Sequence, residues 1–517
     1  MNALHAPGTD DDITYTYDTC ANGSERLCSV VNAAATVTYG YDAFGGVTAH
    51  QGVSYGYDHA GRIQQITYPS GAIVQLTYNA AGQVTKVDRT QSAISNVARN
   101  LRYFPFGPLR SAIFGNLLTF TQGADSAYRL TSQTVPGVFE RRYPLYDGNG
   151  NLLARTDNLT ASTDQFTYDP LNRLDTENGE SSGNFDYDQN GNRLAQTEGA
   201  ATTAYTYQPN TNRVATLDGR AVMLDANGNT KRPDSLRVYS YTTLNQLSKA
   251  TQSGALLARY AYNGLGQRAR KTLADGTVTQ YVYGLDGELL AELDATGAPQ
   301  VEYIHLNGAP LAMVQNPAST PKVYYLHNDH LGAPRRATDK NGVVMWAWQG
   351  DAFGNTLPDE DPDNDGVATE MNLRFPGQYY DEETGLHYNY HRYYDPSTGR
   401  YITSDPIGLA GGINTYGYAN QNPLMFTDPL GLMGGLAPPR RPPNYCTGSP
   451  DLFPRSCKKH DQCYYNSKTC KPEKPKNQCD RDFGEDMGRE HSGYPEVIPN
   501  LYEWAVENFG GPFYGTP

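Results

Sequence analysis

The sequence predicts a mainly β protein that ends in a small, mainly α domain. The composition is the first reason, since 40 tyrosines and 52 glycines among 517 residues suit strands joined by tight turns. The second reason is a tyrosine-containing phrase that recurs along the chain. The third is an abrupt change after residue 432, where the phrase stops and five cysteines crowd into residues 446–479. Such a cluster is typical of a disulfide framework or a metal site.

The charge and length limit the function classes. A chain of 517 residues exceeds one compact core, so several domains or an extended repeat are expected. The net charge of −14 argues against a nucleic-acid binder. Residues 433–517 hold 11 basic and 11 acidic residues, so this segment is neutral. No apolar run is long enough to span a membrane, and the N-terminus lacks the pattern of a classical signal peptide.

The recurring phrase is an aromatic residue, any residue, a tyrosine, then Asp or Asn and a short turn with glycine. Examples are Tyr55-Gly-Tyr57-Asp58, Phe166-Thr-Tyr168-Asp169 and Tyr260-Ala-Tyr262-Asn263. The second tyrosines of neighbouring copies often lie 19 to 21 residues apart. Each copy predicts a strand, a turn and a strand, with alternate tyrosines on one face. At Asn190-Gly191 we expect a hairpin turn in which both residues have positive φ.

This pattern resembles the YD repeats of the RHS family over roughly residues 10–432. Three later stretches strengthen the resemblance: Tyr324 to Arg335, Tyr379 to Pro396, and the RHS-associated core from Gly399 to Leu432. The resemblance implies a β-ribbon that closes into a hollow shell, with repeats over 1–323 and the conserved core over 324–432. The repeats alone leave a plain β-solenoid without cargo as the alternative.

The core contains two Asp-Pro-x-Gly-Leu copies whose aspartates, Asp405 and Asp428, are 23 residues apart. Two carboxylates held close together cannot both ionise easily, so one stays protonated and the pair can activate water. In the resembling family such a pair is an aspartic self-protease, which here implies cleavage between Leu432 and Met433. Arg400 matches a nearby family arginine that would set the charge state of the pair. A simple turn motif is the alternative.

Residues 433–517 resemble the phospholipase A2 superfamily. The resemblance is carried by Cys457-Lys-Lys-His460-Asp461-Gln-Cys463-Tyr464 and by Cys479-Asp480-Arg-Asp-Phe483. It implies His460 as general base, Asp480 as the acceptor that orients its ring, and Tyr464 as a third catalytic-site residue. It also implies the disulfides Cys446–Cys457 and Cys463–Cys479, and it leaves Cys470 without a family partner.

The same resemblance implies a Ca²⁺ site. Asp461 would supply a carboxylate, and backbone carbonyls near Tyr445, Thr447 and Ser449 would supply the other oxygens that calcium prefers. A Cys/His zinc site and a purely structural disulfide-tied domain are the alternatives. Asp361-Pro-Asp363-Asn-Asp365-Gly366 resembles the start of a calcium loop, but Asn372 stands where the closing Glu belongs. We expect an acidic surface loop there.

Together these resemblances imply a bacterial toxin whose self-released tip hydrolyses phospholipid esters of a target membrane. The chain would be made in the bacterial cytoplasm and secreted or delivered to a target cell. A cognate immunity protein and a secretion-system component would be its partners, and nucleic acid would not. The main alternative is a cell-surface adhesion or carbohydrate-binding protein with an inactive tip. A tip that attacks nucleic acid is disfavoured by its neutral charge.

Overall fold

The structure, a computed structural model, describes residues 2–4, 12–91, 93–105, 107–432 and 435–436. The chain divides into two compact units, Met1–Arg102 with Leu109–Pro439, and Tyr103–Pro108 with Arg440–Pro517. The first unit is built almost wholly of antiparallel strands, so the predicted mainly β body is confirmed. The small α domain predicted for residues 433–517 lies outside the described residues.

Within the large sheets each strand pairs with its neighbours along the chain, in antiparallel order. The first sheet has 22 strands: β1 (Asn2–Leu4), β2 (Ile13–Tyr17), β3 (Leu27–Val31), β4 (Thr36–Tyr41), β5 (Val47–His50), β6 (Val53–Tyr57), β7 (Ile63–Thr67), β8 (Ile73–Tyr78), β9 (Val84–Thr90), β10 (Ile94–Tyr103), β11 (Leu109–Phe114), β12 (Thr119–Ala124), β13 (Leu130–Val135), β14 (Phe139–Tyr146), β15 (Leu152–Asp157), β16 (Ser162–Tyr168), β17 (Leu174–Asn178), β18 (Ser182–Tyr187), β19 (Arg193–Glu198), β20 (Ala201–Tyr207), β21 (Val214–Leu217) and β22 (Arg220–Ala221).

A two-stranded sheet follows, made of β23 (Met223–Leu224) and β24 (Thr230–Arg232). The second large sheet has 11 strands: β25 (Arg237–Tyr241), β26 (Leu247–Gln252), β27 (Ala255–Tyr262), β28 (Arg268–Leu273), β29 (Val278–Tyr283), β30 (Leu289–Leu293), β31 (Pro299–Leu306), β32 (Ala309–Gln315), β33 (Lys322–Asn328), β34 (Pro334–Thr338) and β35 (Val344–Ala347).

The C-terminal part of the first unit has shorter elements. A four-stranded sheet contains β36 (Tyr379–Asp381), β37 (Leu386–Asn389), β38 (Arg392–Asp395) and β39 (Arg400–Tyr401). Two 3₁₀ helices, Gly408–Gly411 and Ala419–Gln421, precede the pair β40 (Phe426–Thr427) and β41 (Gly435–Leu436). No helix in the described part of the chain has the length and apolar character needed to cross a membrane.

An aspartate closes most of the repeat turns. In the turn after β6, Asp58 Oδ1 accepts hydrogen bonds from the backbone of Ala60 at 2.8 Å and Arg62 at 3.0 Å. Gly61 has a φ of 75° and donates its N–H to the Asp58 carbonyl. The turn at Asp188 has the same bonds, and only Gly191 has a positive φ there. The hairpin predicted at Asn190-Gly191 is present between β18 and β19, but Asn190 lacks the expected positive φ, because the aspartate side chain stabilises a longer turn.

The second tyrosine of most repeats bonds to the preceding hairpin. The Tyr168 hydroxyl donates to the Leu152 carbonyl at 2.9 Å, and the Tyr262 hydroxyl donates to the Leu247 carbonyl at 2.6 Å. The same type of bond is made by Tyr41, Tyr57, Tyr78, Tyr146, Tyr207, Tyr241 and Tyr283. Each bond satisfies a main-chain carbonyl and fixes the distance between successive repeats.

The second large sheet lies alongside the first half of the first sheet. Side chains at one end of the early hairpins bond the later strands in matching order. Asn32 Nδ2 donates to the Tyr262 carbonyl at 2.7 Å, and the Tyr68 hydroxyl donates to the Tyr303 carbonyl at 2.9 Å. Asn116 Nδ2 donates to the Asp339 carbonyl at 2.8 Å. The repeats therefore return beside those that precede them by more than 200 residues.

A buried ion-pair cluster joins the four-stranded sheet to the second large sheet. Arg268 on β28 and Asp381 on β36 are fully buried and bonded to each other, and Lys271 Nζ lies 3.0 Å from Asp381 Oδ1. The Arg268 guanidinium also lies over the rings of Tyr281 and Tyr388, at 4.5 and 4.4 Å from their centroids. Paired charges and aromatic faces offset the cost of burying this arginine.

The predicted boundary between residues 323 and 324 falls inside β33, so the repeat sheet continues into the conserved core segment. A disulfide near the start of the chain joins Cys20, which follows β2, to Cys28 on β3. The predicted cysteine pairs of residues 446–479 lie outside the described residues.

The tyrosine bonds make a stability prediction. We expect Tyr168→Phe to lower the free energy of unfolding by about 1 kcal/mol, since one hydrogen bond is lost and the Leu152 carbonyl loses its partner. The control is Tyr187→Phe in the next repeat, at a hydroxyl that makes no hydrogen bond to a carbonyl of the described chain. Urea unfolding of both variants measures the difference. An equal effect of the two substitutions would contradict the assigned role of the hydroxyl bond.

Candidate active site

The two Asp-Pro-x-Gly copies form two similar turns. The Gly408 N–H donates to the Asp405 carbonyl at 3.0 Å, and the Gly431 N–H donates to the Asp428 carbonyl at 3.3 Å. Both glycines have a positive φ, 61° and 67°, which other residues adopt at a cost. The repeated motif therefore gives both aspartates the same local backbone and presents their side chains to one another.

One arginine lies between the two carboxylates. Arg392 Nη2 is 3.0 Å from Asp405 Oδ2 and 3.2 Å from Asp428 Oδ2, and all three side chains are 2% exposed. The Arg392 guanidinium also lies 3.6 Å from the centroid of the Tyr401 ring. A single buried positive charge thus faces two buried carboxylates, an arrangement in which one carboxyl group tends to keep its proton.

Asp428 accepts further hydrogen bonds. The Tyr401 hydroxyl donates to Asp428 Oδ2 at 2.7 Å, and the Leu432 N–H donates to Asp428 Oδ1 at 2.9 Å. With Arg392 on Oδ2 as well, both oxygens act as acceptors, as in an ionised carboxylate.

Asp405 has fewer donors around it. The Ile407 N–H donates to its Oδ1 at 3.0 Å. Burial raises the pKa of Asp405 to about 6, Asp428 adds to this increase, and Arg392 opposes it. Asp405 therefore carries a proton in mildly acidic solution.

The peptide segment that ends at Leu432 lies directly on this pair. The Leu432 N–H donates to Asp428 Oδ1, and Arg392 Nε donates to the carbonyl of the preceding residue, Gly431. A Cβ atom added at Gly411 would lie 2.6 Å from the Leu432 carbonyl oxygen and closer still to the Asp405 carboxylate. The Leu432 carbonyl and the Asp405 carboxylate therefore meet beside Gly411. A water between the two carboxylates could attack this carbonyl, with one carboxyl as acid and the other as base.

The structure brings Asp405, Asp428 and Leu432 together, but it places Arg400 elsewhere. Arg400 Nη1 is 3.1 Å from the Tyr207 hydroxyl, and its Nη2 donates to the Asn212 carbonyl at 2.6 Å. The arginine between the aspartates is Arg392, which sequence reasoning passed over. Arg400 is closer to Asp405 in sequence, but β38 and β39 run antiparallel, and this pairing places Arg392 in the site. The sequence signal was the Arg-Tyr-Tyr-Asp-Pro stretch at 392–396.

The predicted lipase residues lie outside the described residues. These are the catalytic set His460, Asp480 and Tyr464, the calcium set Asp461, Tyr445, Thr447 and Ser449, and the cysteines Cys446, Cys457, Cys463 and Cys479.

The acidic loop expected at residues 361–366 is present. Asp361, Asp363 and Asp365 bring carboxylate oxygens within 4.8 Å of one another. The Asp361 carboxylate accepts hydrogen bonds from the backbone of Asp365 and Gly366, both at 3.1 Å, and most of the loop is exposed.

Fold and site together define a tyrosine-repeat β protein with a buried aspartate pair beside its own backbone. The chain belongs to the family described as Teneurin YD-shell, which matches residues 145–424, more than half of the chain. The family described as RHS Repeat matches residues 57–93. Both matches lie before Asp428 and the C-terminal segment.

Similar proteins include two curated toxins. Double-stranded DNA deaminase toxin A of Burkholderia cenocepacia is 39% identical over 166 residues, 29% of this chain and 11% of that protein. Toxin protein Tse5 of Pseudomonas aeruginosa is 40% identical over 122 residues, 23% of this chain and 9% of that protein. The matches therefore span only about a tenth of the length of each relative.

The fold is also similar to that in the crystal structure of TcdB2-TccC3. The TM-score is 0.71 with 19% sequence identity, and the match covers 83% of this chain and 26% of that chain. At this identity the likeness shows a shared β-repeat architecture.

Proposed function

We propose that this chain acts as an RHS-type toxin that cuts itself between Leu432 and Met433 and so frees the segment that follows. The observation that carries the proposal is the buried pair Asp405 and Asp428, which shares Arg392 and lies against the Leu432 peptide. The printed names of the two curated relatives support the toxin class.

In the proposed mechanism the two aspartates have different roles. Asp428, with its acceptor bonds, takes a proton from the attacking water, and Asp405 donates its proton to the Leu432 carbonyl oxygen. The water oxygen forms a bond to the Leu432 carbonyl carbon. When the carbon–nitrogen bond breaks, Asp428 passes its proton to the Met433 nitrogen, and one hydroxyl group on the tetrahedral carbon returns its proton to Asp405 as the carbonyl re-forms. Both aspartates then have their initial protonation states.

The released segment is proposed to be a phospholipase A2-like ester hydrolase that damages a target membrane. The support is the sequence Cys457-Lys-Lys-His460-Asp461-Gln-Cys463-Tyr464 with Cys479-Asp480. His460 would take a proton from water, and Asp480 would hold its ring. Calcium held by Asp461 would stabilise negative charge on the ester oxygen. We further propose delivery to a target cell by secretion machinery and a cognate immunity protein in the producer.

One relative supplies a second candidate. Because that protein is named a double-stranded DNA deaminase toxin, nucleic acid is the alternative substrate class for the segment after Leu432. The neutral charge of residues 433–517 favours the lipid substrate. Assaying phospholipid vesicles and DNA with the same purified chain distinguishes the two.

The first prediction concerns processing. The purified chain should yield two fragments, the smaller of which begins at Met433 by N-terminal sequencing. Asp405→Asn and Asp428→Asn should each leave the chain intact, because the first loses its acid and the second its base.

Two arginine variants provide the matched comparison for processing. Arg392→Lys should slow cleavage by roughly 100-fold or more, because lysine cannot contact both carboxylates and the Gly431 carbonyl in the same way. Arg400→Lys should leave cleavage close to the wild-type rate, since Arg400 contacts Tyr207 and Asn212. An intact wild-type chain, or equal effects of the two lysine variants, would overturn the assignment.

The second prediction concerns pH. Intact chain, recovered from urea and refolded by dilution, should be cut faster as the pH falls from 8 towards 5. Asp405 acts in its protonated form, and burial raises its pKa to about 6. The protonated fraction falls roughly tenfold for each pH unit above the pKa. Circular dichroism at each pH checks that the fold is retained, and a rate that rises towards pH 8 would contradict the roles given to the two aspartates.

The third prediction separates metal from base in the tip. His460→Gln should abolish lipid hydrolysis while calcium still binds, because calcium prefers oxygen ligands. Asp461→Asn should weaken calcium binding and hydrolysis together. Calorimetric calcium titration with a fatty-acid release assay measures both. Loss of calcium binding in His460→Gln, or full activity in Asp461→Asn, would make the structural or zinc alternative the better account.

A further inference from the structure

We propose that Asn389 is a positioning residue for self-cleavage, because it holds Asp428 at two points and begins the turn that grips the backbone before the cut bond. This inference rests on the self-cleavage proposed above. It adds a residue outside the aspartate pair and explains how the peptide is held in place.

Asn389 reaches both the backbone and the side chain of Asp428. Its Nδ2 donates to the Asp428 carbonyl at 2.9 Å and to the Tyr401 hydroxyl oxygen at 2.7 Å. The Tyr401 hydroxyl in turn donates to Asp428 Oδ2 at 2.7 Å. A tyrosine hydroxyl has one hydrogen, so by giving Tyr401 a donor Asn389 directs that hydrogen at the carboxylate. One amide group therefore fixes where Asp428 lies and keeps its Oδ2 an acceptor.

The rest of the same turn holds the next residues. Asn389 pairs with Arg392 across the hairpin between β37 and β38. The His391 N–H donates to the Leu430 carbonyl at 3.2 Å, and Arg392 Nε donates to the Gly431 carbonyl. Carbonyls of residues 428, 430 and 431 are thus all bound by one four-residue turn. The contacts are to main-chain atoms, so the turn fixes the position of the backbone whatever side chains it carries.

The turn at residues 389–392 has unfavourable features, and its contacts with residues 428–431 account for them. Tyr390 has a φ of 55°, which a non-glycine residue adopts at a cost. Asn389 is fully buried, yet its Oδ1 has no hydrogen-bond partner among the described atoms. Gly431 approaches so closely that a Cβ there would overlap the Asn389 carbonyl oxygen. A turn selected for stability alone would favour glycine at 390 and a satisfied side chain at 389.

Asn389 carries no charge. Its loss should therefore lower the cleavage rate without changing the pH dependence of cleavage. The charged and titratable groups around Asp428 and Tyr401 include Arg392, Asp405, His391, Tyr394 and Tyr418. All of them remain in an Asn389 variant. The pH at which cleavage is half-maximal should therefore stay where it is in the wild type.

The experiment compares Asn389→Ala with Asn422→Ala in the full chain. Asn422 is a matched control, since it is fully buried, donates two Nδ2 bonds to Asn151 and Asn172, and has an unpaired Oδ1. Both variants lose equivalent bonds, but only Asn389 contacts residues 428–431. Refolded intact chain is sampled over time at several pH values, and the melting temperature of each variant is measured.

We expect Asn389→Ala to cut about 10- to 100-fold more slowly at every pH, with an unchanged midpoint. Asn422→Ala should cut within about threefold of the wild type at a similar melting temperature. Equal cleavage rates for the two variants would overturn the positioning role. The same holds if Asn389→Ala cuts more slowly but also has a lower melting temperature than Asn422→Ala. Asn389→Leu, which is similar in size and uncharged but lacks the N–H donors, provides the same test if the alanine variant does not fold.

A second measurement does not depend on cleavage. In the uncut Asp405→Asn chain, adding Asn389→Ala should speed hydrogen exchange of the Leu432 amide, while adding Asn422→Ala should not. If Asn389→Ala leaves hydrogen exchange of the Leu432 amide unchanged, Asn389 does not hold this part of the backbone in place. If the wild-type chain stays uncut, the proposed cleavage fails, and the exchange result still decides whether Asn389 holds residues 428–432.

Discussion

Hydrogen bonds from tyrosine hydroxyls to the carbonyls of the preceding hairpin are the constraint on which this structure depends. The backbone ladder joins each hairpin to the next, as between β7 and β8, and the tyrosine bonds add a side-chain constraint on the spacing of the hairpins. The Tyr168 and Tyr262 bonds, 2.9 and 2.6 Å long, supply that constraint in two distant parts of the chain. The bonds recur in most repeats, and residues more than 200 positions apart meet in matching order.

The precision of the ribbon is what makes the aspartate site possible. Asp405, Asp428 and Arg392 come from different segments, and their oxygens and nitrogens meet within 3.2 Å. The strands that carry Arg392 belong to the four-stranded sheet, which is tied to the second large sheet through Arg268 and Asp381. A buried ion pair contributes little net stability, but breaking it is costly, so it resists alternative packings. Such a pair suits an element that must present one guanidinium at a fixed point.

The sequence predicted the fold well where the evidence was periodic. Tyrosine spacing and turn glycines indicated antiparallel hairpins, and the duplicated Asp-Pro-x-Gly motif indicated that Asp405 and Asp428 lie close together, as both do beside Arg392. It was misleading where the outcome depended on contacts distant in sequence. Arg400 was expected near the pair because it matches a family arginine, yet it contacts Tyr207, and Arg392 contacts the two aspartates instead. The turn at Asn190-Gly191 is longer than the dipeptide alone indicated. Asp188 Oδ1 accepts two backbone hydrogen bonds there, which a two-residue turn would not make.

The charges of the site also explain why cutting would proceed in one direction. Before cleavage, two carboxylates share one guanidinium, and the excess negative charge is relieved when Asp405 takes a proton. The proposed cleavage would leave a third carboxyl group at Leu432, whose carbonyl lies beside the Asp405 carboxylate next to Gly411. Like charges at such short range in a buried setting repel strongly. Re-forming the peptide bond would require the new Leu432 carboxyl group to stay beside Asp405, where this repulsion acts. The same confinement that makes the Leu432 peptide accessible to the aspartates therefore disfavours its re-formation once it is cut.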